Sequence, residues 1–263
     1  MSSSLLYNLQ EKLTPGAQVG EVGKDAIRLE IPAGLSQHYR LAQLDDYGSL
    51  PRSKFPWSPP LRLSLRARAS SGNFPGTWGF GFWNDPFSMG VLSRSGGVHL
   101  PVLPNAAWFF SASQESHLAL VDNLPACGWT ATTFSSPLWS SWLSLLGLPV
   151  LPLLIFPPFV RFFRRLVSRK VYQAVYSLPT DPTEWSSYAI NWKSEGVEFI
   201  VNDEVVFATS VVPRGRLGLV IWVDNQYASV PPSGRLRYGF LPNPDPVWIE
   251  IESLRVTPEK FGS

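Results

Sequence analysis

From Trp185 to Ser229 apolar and polar residues alternate in three or four successive runs. Tyr188, Ile190 and Trp192 alternate with Ser187, Ala189 and Asn191, the period of two expected of a half-buried strand. Val197, Phe199 and Val201 repeat it, and Asn202-Asp203 supplies turn chemistry before Val205 and Phe207. Leu217, Leu219, Ile221 and Val223 then fill one face of a longer strand. Its other face carries Gly218, Val220, Trp222 and Asp224.

The same period recurs upstream. Ile27, Leu29 and Ile31 mark a first strand and Tyr39 to Leu44 a second, with Asp45-Asp46 read as a turn. After the stiff Phe55-Pro56-Trp57-Ser58-Pro59-Pro60 entry, Leu61, Leu63, Leu65, Ala67 and Ala69 face the core. Arg62, Ser64, Arg66 and Arg68 face away. Such an arginine row either grips an anion or pairs with carboxylates of a neighbouring strand, and Glu250 and Glu252 are available. Trp78, Phe80 and Phe82 oppose Gly79, Gly81 and Trp83, whose glycines thin that face so that a large group can approach the backbone. Gly90 to Pro104 reads as a loop-rich rim. Ala106–Ser111, His117–Val121, Gly128–Phe134, Arg235–Leu241 and Val247–Val256 read as further strands. Residues 1–25 read as a leader with one helical turn around Leu5 to Leu13, and 258–263 as a tail.

Residues 123–160 contain no charged side chain, and RFFRRLVSRK follows at once. If helical, that basic tail sets Phe159, Phe162, Phe163 and Leu166 on one face and Arg161, Arg164, Arg165 and Arg169 on the other, the signature of an interfacial helix. A single membrane crossing is unfavourable, because strands on either side of the insert must pair in one sandwich, and Pro149, Pro152, Pro157 and Pro158 interrupt any continuous helix. The insert, 136–170, is therefore expected to lie on a membrane surface, cover its own domain or meet another subunit. Trp139, Trp142, Phe162 and Phe163 with Arg161, Arg164, Arg165 and Arg169 are its candidate membrane contacts.

With 25 Pro and 20 Gly in 263 residues, many short strands are favoured over helices. A formal charge of +2 is too small to suggest nucleic acid. Cys127 is the only cysteine, so no disulfide is expected, and MSSSLLYNLQEKL lacks the apolar run of a secretory signal. A cytoplasmic location, peripheral to a membrane, is the expectation.

The segment WSSYAINWKSEGVEFIVNDEVVF with RLGLVIWV resembles the second half of family 16 glycoside hydrolases, and YRLAQLDDYGSLPRSKFPWSPPLRLSLRARAS and GTWGFGFWND resemble earlier strands of that family. The likeness spans roughly residues 26–134 and 170–257. It implies an all-β fold, a concanavalin A-like jelly-roll sandwich of two antiparallel sheets, in one domain over 26–257 with a hydrophobic, partly helical insert. It also implies a carbohydrate cleft on one sheet's concave face.

Family 16 enzymes carry their acid/base and nucleophile on a Glu-x-Asp-x-(x)-Glu strand, with carboxyl groups about 5–5.5 Å apart for retention. The strand in that place here, Ala106 to Ser113, has no carboxylate, and Glu115 stands alone beyond it. Glu115 and His117 could share a strand face as base and partner. His38, His99 and His117 lack metal-site spacing, so neither metal nor cofactor is expected. Trp78 or Trp83, with Trp108, Glu115, Trp222, Asp224, Asn225 and Gln226, are the candidate ligand contacts, since tryptophan stacked on a sugar face beside Asp and Asn is how lectin-like clefts work. The alternative for the tryptophans is core. The expected function is non-hydrolytic binding of a glycan, glycolipid or lipophilic molecule. An enzyme of different mechanism on the same scaffold is the alternative.

Overall fold

A computed structural model describes residues 9–23, 25–86, 102–138 and 156–259. The strands, in chain order, are β1 Gln10–Leu13, β2 Gln18–Val22, β3 Ala26–Ile31, β4 Leu41–Asp45, β5 Leu61–Ala69, β6 Thr77–Trp83, β7 Ala106–Ala112, β8 Gly128–Ser135, β9 Tyr172–Ser177, β10 Ser186–Trp192, β11 Val197–Val201, β12 Glu204–Thr209, β13 Gly218–Asp224, β14 Gln226–Ser229, β15 Arg237–Phe240 and β16 Val247–Pro258. One helix, α1 Pro157–Ser168, lies between β8 and β9.

The first sheet has the order β1-β4-β13-β6-β7-β8-β9 and the second β12-β11-β10-β5-β16-β3-β2, antiparallel throughout. Alternation dictates what lies between them. Trp78, Phe80 and Phe82 of β6, Phe109 of β7 and Trp129 of β8 meet Tyr188, Trp192 and Phe199 of the opposite sheet. Ring centroids are 5.0 Å apart for Phe109–Tyr188 and 5.8 Å for Phe82–Trp192. The first is edge-to-face and the second tilted, and aromatic pairs at such separations add about 0.5–1.5 kcal/mol each beyond their burial.

The outer face of the second sheet carries the arginine row, in which Arg66 and Arg68 pair with carboxylates and Arg62 donates to the Asn191 side chain. Arg28 and Arg68 both bond Glu250, at 2.6 and 2.7 Å, and Arg66 pairs with Glu252. Burial pushes the Glu250 carboxyl up, but the bonds from Arg28 and Arg68 hold it below the usual glutamate range.

Several sequence expectations change. Gln10–Leu13 is an edge strand paired with β4, not a helical turn, and Gln18–Val22 extends the second sheet. These segments are too exposed to show an apolar period, although Leu9, Ala17 and Val19 reach the core. His117–Val121 is not a strand. Its backbone bonds irregular partners, His117 N to Ala228 O and Leu118 N to Ala126 O. Arg237–Phe240 pairs only with β14, in a two-stranded ribbon outside both sheets. Tyr172–Ser177, whose side chains are largely exposed, forms the unanticipated edge strand β9.

Candidate functional site

Because side chains alternate, the outer face of the first sheet is fixed by register. It receives Ala106, Trp108, Phe110 and Ala112 from β7, Thr77, Gly79, Gly81 and Trp83 from β6, Gly218, Val220, Trp222 and Asp224 from β13, and Leu41, Gln43 and Asp45 from β4. These residues build a second hydrophobic cluster, separate from the intersheet core, together with Tyr47, Phe55, Phe134 and Val171. This is the sheet on which the resemblance would place a carbohydrate cleft, because it contains β7.

Four rings form the wall. Trp83 and Trp222 are parallel with centroids 6.3 Å apart, Trp108 and Phe110 stack at 5.4 Å, and Trp108 lies 5.5 Å from Trp222. Glycines admit them: Gly79 lies under the Trp222 indole, Gly81 against Trp108, and Gly218 against the Tyr47 ring. Trp108 and Trp222 are 7% and 8% exposed, whereas Trp83 and Phe110 are half-buried.

The polar groups of this face are mostly engaged. Trp83 Nε1 donates to Tyr47 OH at 2.6 Å. Gln43 Nε2 donates to Asp45 Oδ2 at 2.8 Å. A relay runs from Trp222 Nε1 to Thr77 Oγ1 at 2.9 Å, and from that hydroxyl to Asp224 Oδ1 at 2.9 Å. Trp108 Nε1 is buried with no hydrogen-bond partner.

Two carboxylates lie on the face, Asp45 and Asp224, both buried. Asp45 stands opposite Val220, four residues along β13 from Asp224. At roughly 3.3 Å per residue that separates their backbones by about 13 Å, at opposite ends of the strand pair. Each is also turned into its own strand end. Asp45 accepts from the backbone N–H of Tyr47 and Gly48, and Asp224 from Thr77 N, Thr77 Oγ1 and Gln226 N, with Tyr39 OH at 3.4 Å. Burial raises the Asp224 carboxyl to about 7 against those hydrogen bonds, and drives the Tyr39 hydroxyl upward. Asp46, bonded to Trp57 Nε1 and Leu219 N, is raised by burial to about 6.

The other expected contacts divide. Trp78 belongs to the intersheet core, stacked on Trp129 at 4.3 Å, because it alternates with the outward glycines. Asn225 is fully buried. Its Oδ1 accepts from Arg40 N, and its Nδ2 donates to the carbonyls of His38 and Leu241, so it ties the turn after β13 from inside the fold. Gln226 is half-buried and accepts from Tyr238 OH. Glu115 is exposed, off the wall, and His117 faces Arg164 and Asp122 instead of Glu115; burial and Arg164 lower its imidazole. Among the described residues no cluster of His, Cys, Asp or Glu could hold a metal ion. Sequence reasoning missed Phe110, Thr77 and Tyr47. Phe110 was legible as the next outward position after Trp108; Tyr47 lies past a turn, where period-two reasoning stops.

Of the insert, Trp139 and Trp142 fall outside the described residues, as do His99 and most of the expected rim. α1 begins with Pro157 and Pro158, which suit a first turn. Val160 is buried, and Val167 packs on the outer-face cluster. Arg164 is not on an exposed basic face. It is 6% exposed, donates to the carbonyls of Ala119 and Val230, and pairs with Asp122. It lines a cavity of about 510 Å³ with Leu120, Asn123, Arg165 and Ser168. Arg161, Arg165 and Arg169 are exposed beside Phe162, Phe163 and Leu166.

No protein-family model and no curated protein sequence matches the chain. Solved structures do. A family 16 endo-glucanase from Bacteroides ovatus, in complex with G4G3G-2F-DNP, superposes over 95% of this chain and 94% of its own, with a TM-score of 0.52 at 7% identity. A legume lectin-like domain from Entamoeba histolytica covers 97% of this chain and 92% of its own, with a TM-score of 0.49 at 10% identity. The laminarinase catalytic domain from Thermotoga maritima, in complex with cetyltrimethylammonium bromide, covers 94% and 81%, with a TM-score of 0.46 at 12% identity. The likeness is one of fold: this chain is a concanavalin A-like jelly roll of two large antiparallel sheets, with one α-helix among the described residues.

Proposed function

We propose that this chain is a non-hydrolytic, lectin-like binding protein that takes the flat apolar face of a glycan or glycolipid, or another lipophilic molecule, against the outer face of its first sheet. The observation that carries this reading is the content of β7. Its outward positions are Ala106, Trp108, Phe110 and Ala112, so stacking rings stand where a family 16 enzyme would need paired carboxylates. Trp83 and Phe110 are the accessible part of that wall and offer ring faces for stacking. Tryptophan fluorescence titrated with laminarin oligosaccharides and, separately, with octyl glucoside below its micelle concentration tests the reading. Saturable quenching that weakens about fivefold or more in Trp83→Ala and Phe110→Ala, without release of reducing ends, is expected. Turnover of the oligosaccharide, or binding indifferent to both variants, refutes it.

Contact with an anionic membrane surface is part of the same proposal. Phe162, Phe163 and Leu166 are 62%, 43% and 47% exposed on α1, flanked by exposed Arg161, Arg165, Arg169 and Lys170. An apolar stripe beside basic side chains suits insertion at headgroup depth. Among the described residues no helix is long and apolar enough to cross a membrane.

One observation favours the enzymatic alternative: Asp224, raised to about 7, sits on the outer face next to Tyr39 and Thr77. Its hydrogen bonds to its own turn, and the distance to Asp45, leave it without a second carboxylate. Any hydrolysis lost in Asp224→Asn would establish that alternative.

A further inference from the structure

The outer face of the second sheet is not flat at its centre. β16 is bulged between Glu252 and Arg255, with Ser253 at φ 56°, the left-handed region that non-glycine residues seldom adopt. The bulge turns Leu254 into the core and sets Arg255 directly across from Ser64 of β5. On Ser64's other side stands Ala189 of β10. Two short side chains therefore occupy the middle of a face whose surrounding positions are long. Arg62 and Arg66 flank Ser64 two residues away along β5. The result is a depression of about 310 Å³ floored by Ser64 and Ala189 and walled by Arg62, Arg66, Arg255, Ser187, Ser253 and Ile200.

We propose that this depression is an oxyanion site, fitted to a sulfate or phosphate group, free or carried on a saccharide. Its lining contributes three guanidiniums and three hydroxyls from three strands and a bulge, with Asp203 of the β11–β12 turn in the lining and Glu252 paired to Arg66 beside it. Guanidinium forks bind tetrahedral oxyanions through paired N–H donors, and serine hydroxyls complete such a shell. The guanidiniums are held in place by their neighbours. Arg62 Nη1 donates to Asn191 Oδ1 at 2.7 Å, and Arg66 pairs with Glu252 and lies 5.4 Å from the Trp185 ring centre. Each of those bonds engages a single N–H of a five-donor group, which leaves further donors for a ligand. The site lies on the opposite sheet from the aromatic wall and is independent of it.

Calorimetry of the full chain with a chondroitin sulfate tetrasaccharide, its desulfated counterpart, inorganic sulfate and inorganic phosphate tests this. Saturable binding of the sulfated sugar, or of the inorganic ions, is expected at this site, with no contribution from the site to any binding of the desulfated sugar, whose affinity the variants below leave unchanged. The first two arms against the last two distinguish an ester from a free ion. The double variant Arg62→Gln/Arg255→Gln is expected to weaken binding at least tenfold. Ser64→Leu, which fills the depression and keeps every charge, is expected to do the same. Absence of saturable binding, or binding that survives both the double variant and Ser64→Leu, overturns the proposal.

Discussion

Trp222 and Gly79 are direct partners across the β13–β6 pair, and the indole lies over the glycine: a Cβ built on Gly79 would stand 2.9 Å from Trp222 Cη2. The carbonyl of Phe109 would be closer still. The glycine therefore serves a ring of the chain itself, and that ring carries the rest of the wall, touching Trp83, Trp108 and Phe110.

Gly79→Ala is accordingly expected to destabilise the fold by about 1–3 kcal/mol, the range for overpacking a well-filled site. The backbone oxygen cannot yield as a flexible side chain would. Urea denaturation followed by tryptophan emission measures it, and the native spectrum should shift as Trp222 is displaced. A variant as stable as the parent with an unchanged spectrum would contradict the packing described.

The sandwich was legible because most of its central strands bury one face and not the other. Tyr188, Ile190 and Trp192, or Leu219, Ile221 and Val223, state both the strand and its inward side. The carboxylate partners of the arginine row were legible for the same reason, since Glu250 is outward in its own alternation. What failed was what alternation does not encode. β1 and β9 are edge strands whose side chains are mostly exposed, so no apolar period marks them. Trp78 and Trp83 are five residues apart on opposite faces, and composition alone cannot tell a core ring from a wall ring. Arg164 looked like its exposed neighbours because its partners, Ala119 O, Val230 O and Asp122, come from distant loops.

The titration of Asp224 gives a pH dependence with a definite sign. An aspartate raised from 3.8 in the unfolded chain to about 7 in the fold binds its proton more tightly when folded. The folded state therefore holds the extra proton between those values, and stability falls as pH rises through that window. Asp46, raised to about 6, adds to the same slope. Glu198 and Glu250, held below the usual range, act oppositely but below the ordinary glutamate pKa, outside this window, whereas the lowered His117 opposes the slope below 6.5 in parent and Asp224 variant alike. Asp224→Asn keeps an acceptor for Thr77 and Gln226 while removing the titration. Melting temperatures from pH 5 to 8 should decline in the parent and decline less steeply in the variant. Parallel profiles would show that Asp224 titrates normally.

Arg164 and Arg165 are adjacent in sequence and separable by experiment. Arg164→Ala removes three hydrogen bonds, two of them to loop carbonyls, and should cost about 1–3 kcal/mol. The loss should be local, with hydrogen exchange accelerating over 157–168 as α1 loosens from the loop at 119–122. Arg165→Ser changes an exposed side chain and should stay within about 0.5 kcal/mol. Equal effects of the two would mean that α1 is not anchored through Arg164.

The membrane part of the proposal makes its sharpest statement about which arginines to change. Replacing Arg164 would release the helix and confuse folding with binding, so the informative variant is Arg161→Ser/Arg165→Ser/Arg169→Ser. Each basic residue near an anionic surface contributes about 1 kcal/mol, so the triple variant should lose about 3 kcal/mol, more than a hundredfold in partitioning. The screening length shrinks from about 10 Å at 0.1 M salt to about 3 Å at 1 M, so high salt should mimic the variant. Phe162→Ser/Phe163→Ser should weaken binding too, but without altering its salt dependence, because it removes apolar insertion and leaves the charges. Sedimentation with phosphatidylserine-containing vesicles, against neutral ones, reads all of these. Binding equal for both vesicle types, or indifferent to the arginine and phenylalanine variants alike, would assign the exposed face of α1 to something other than lipid.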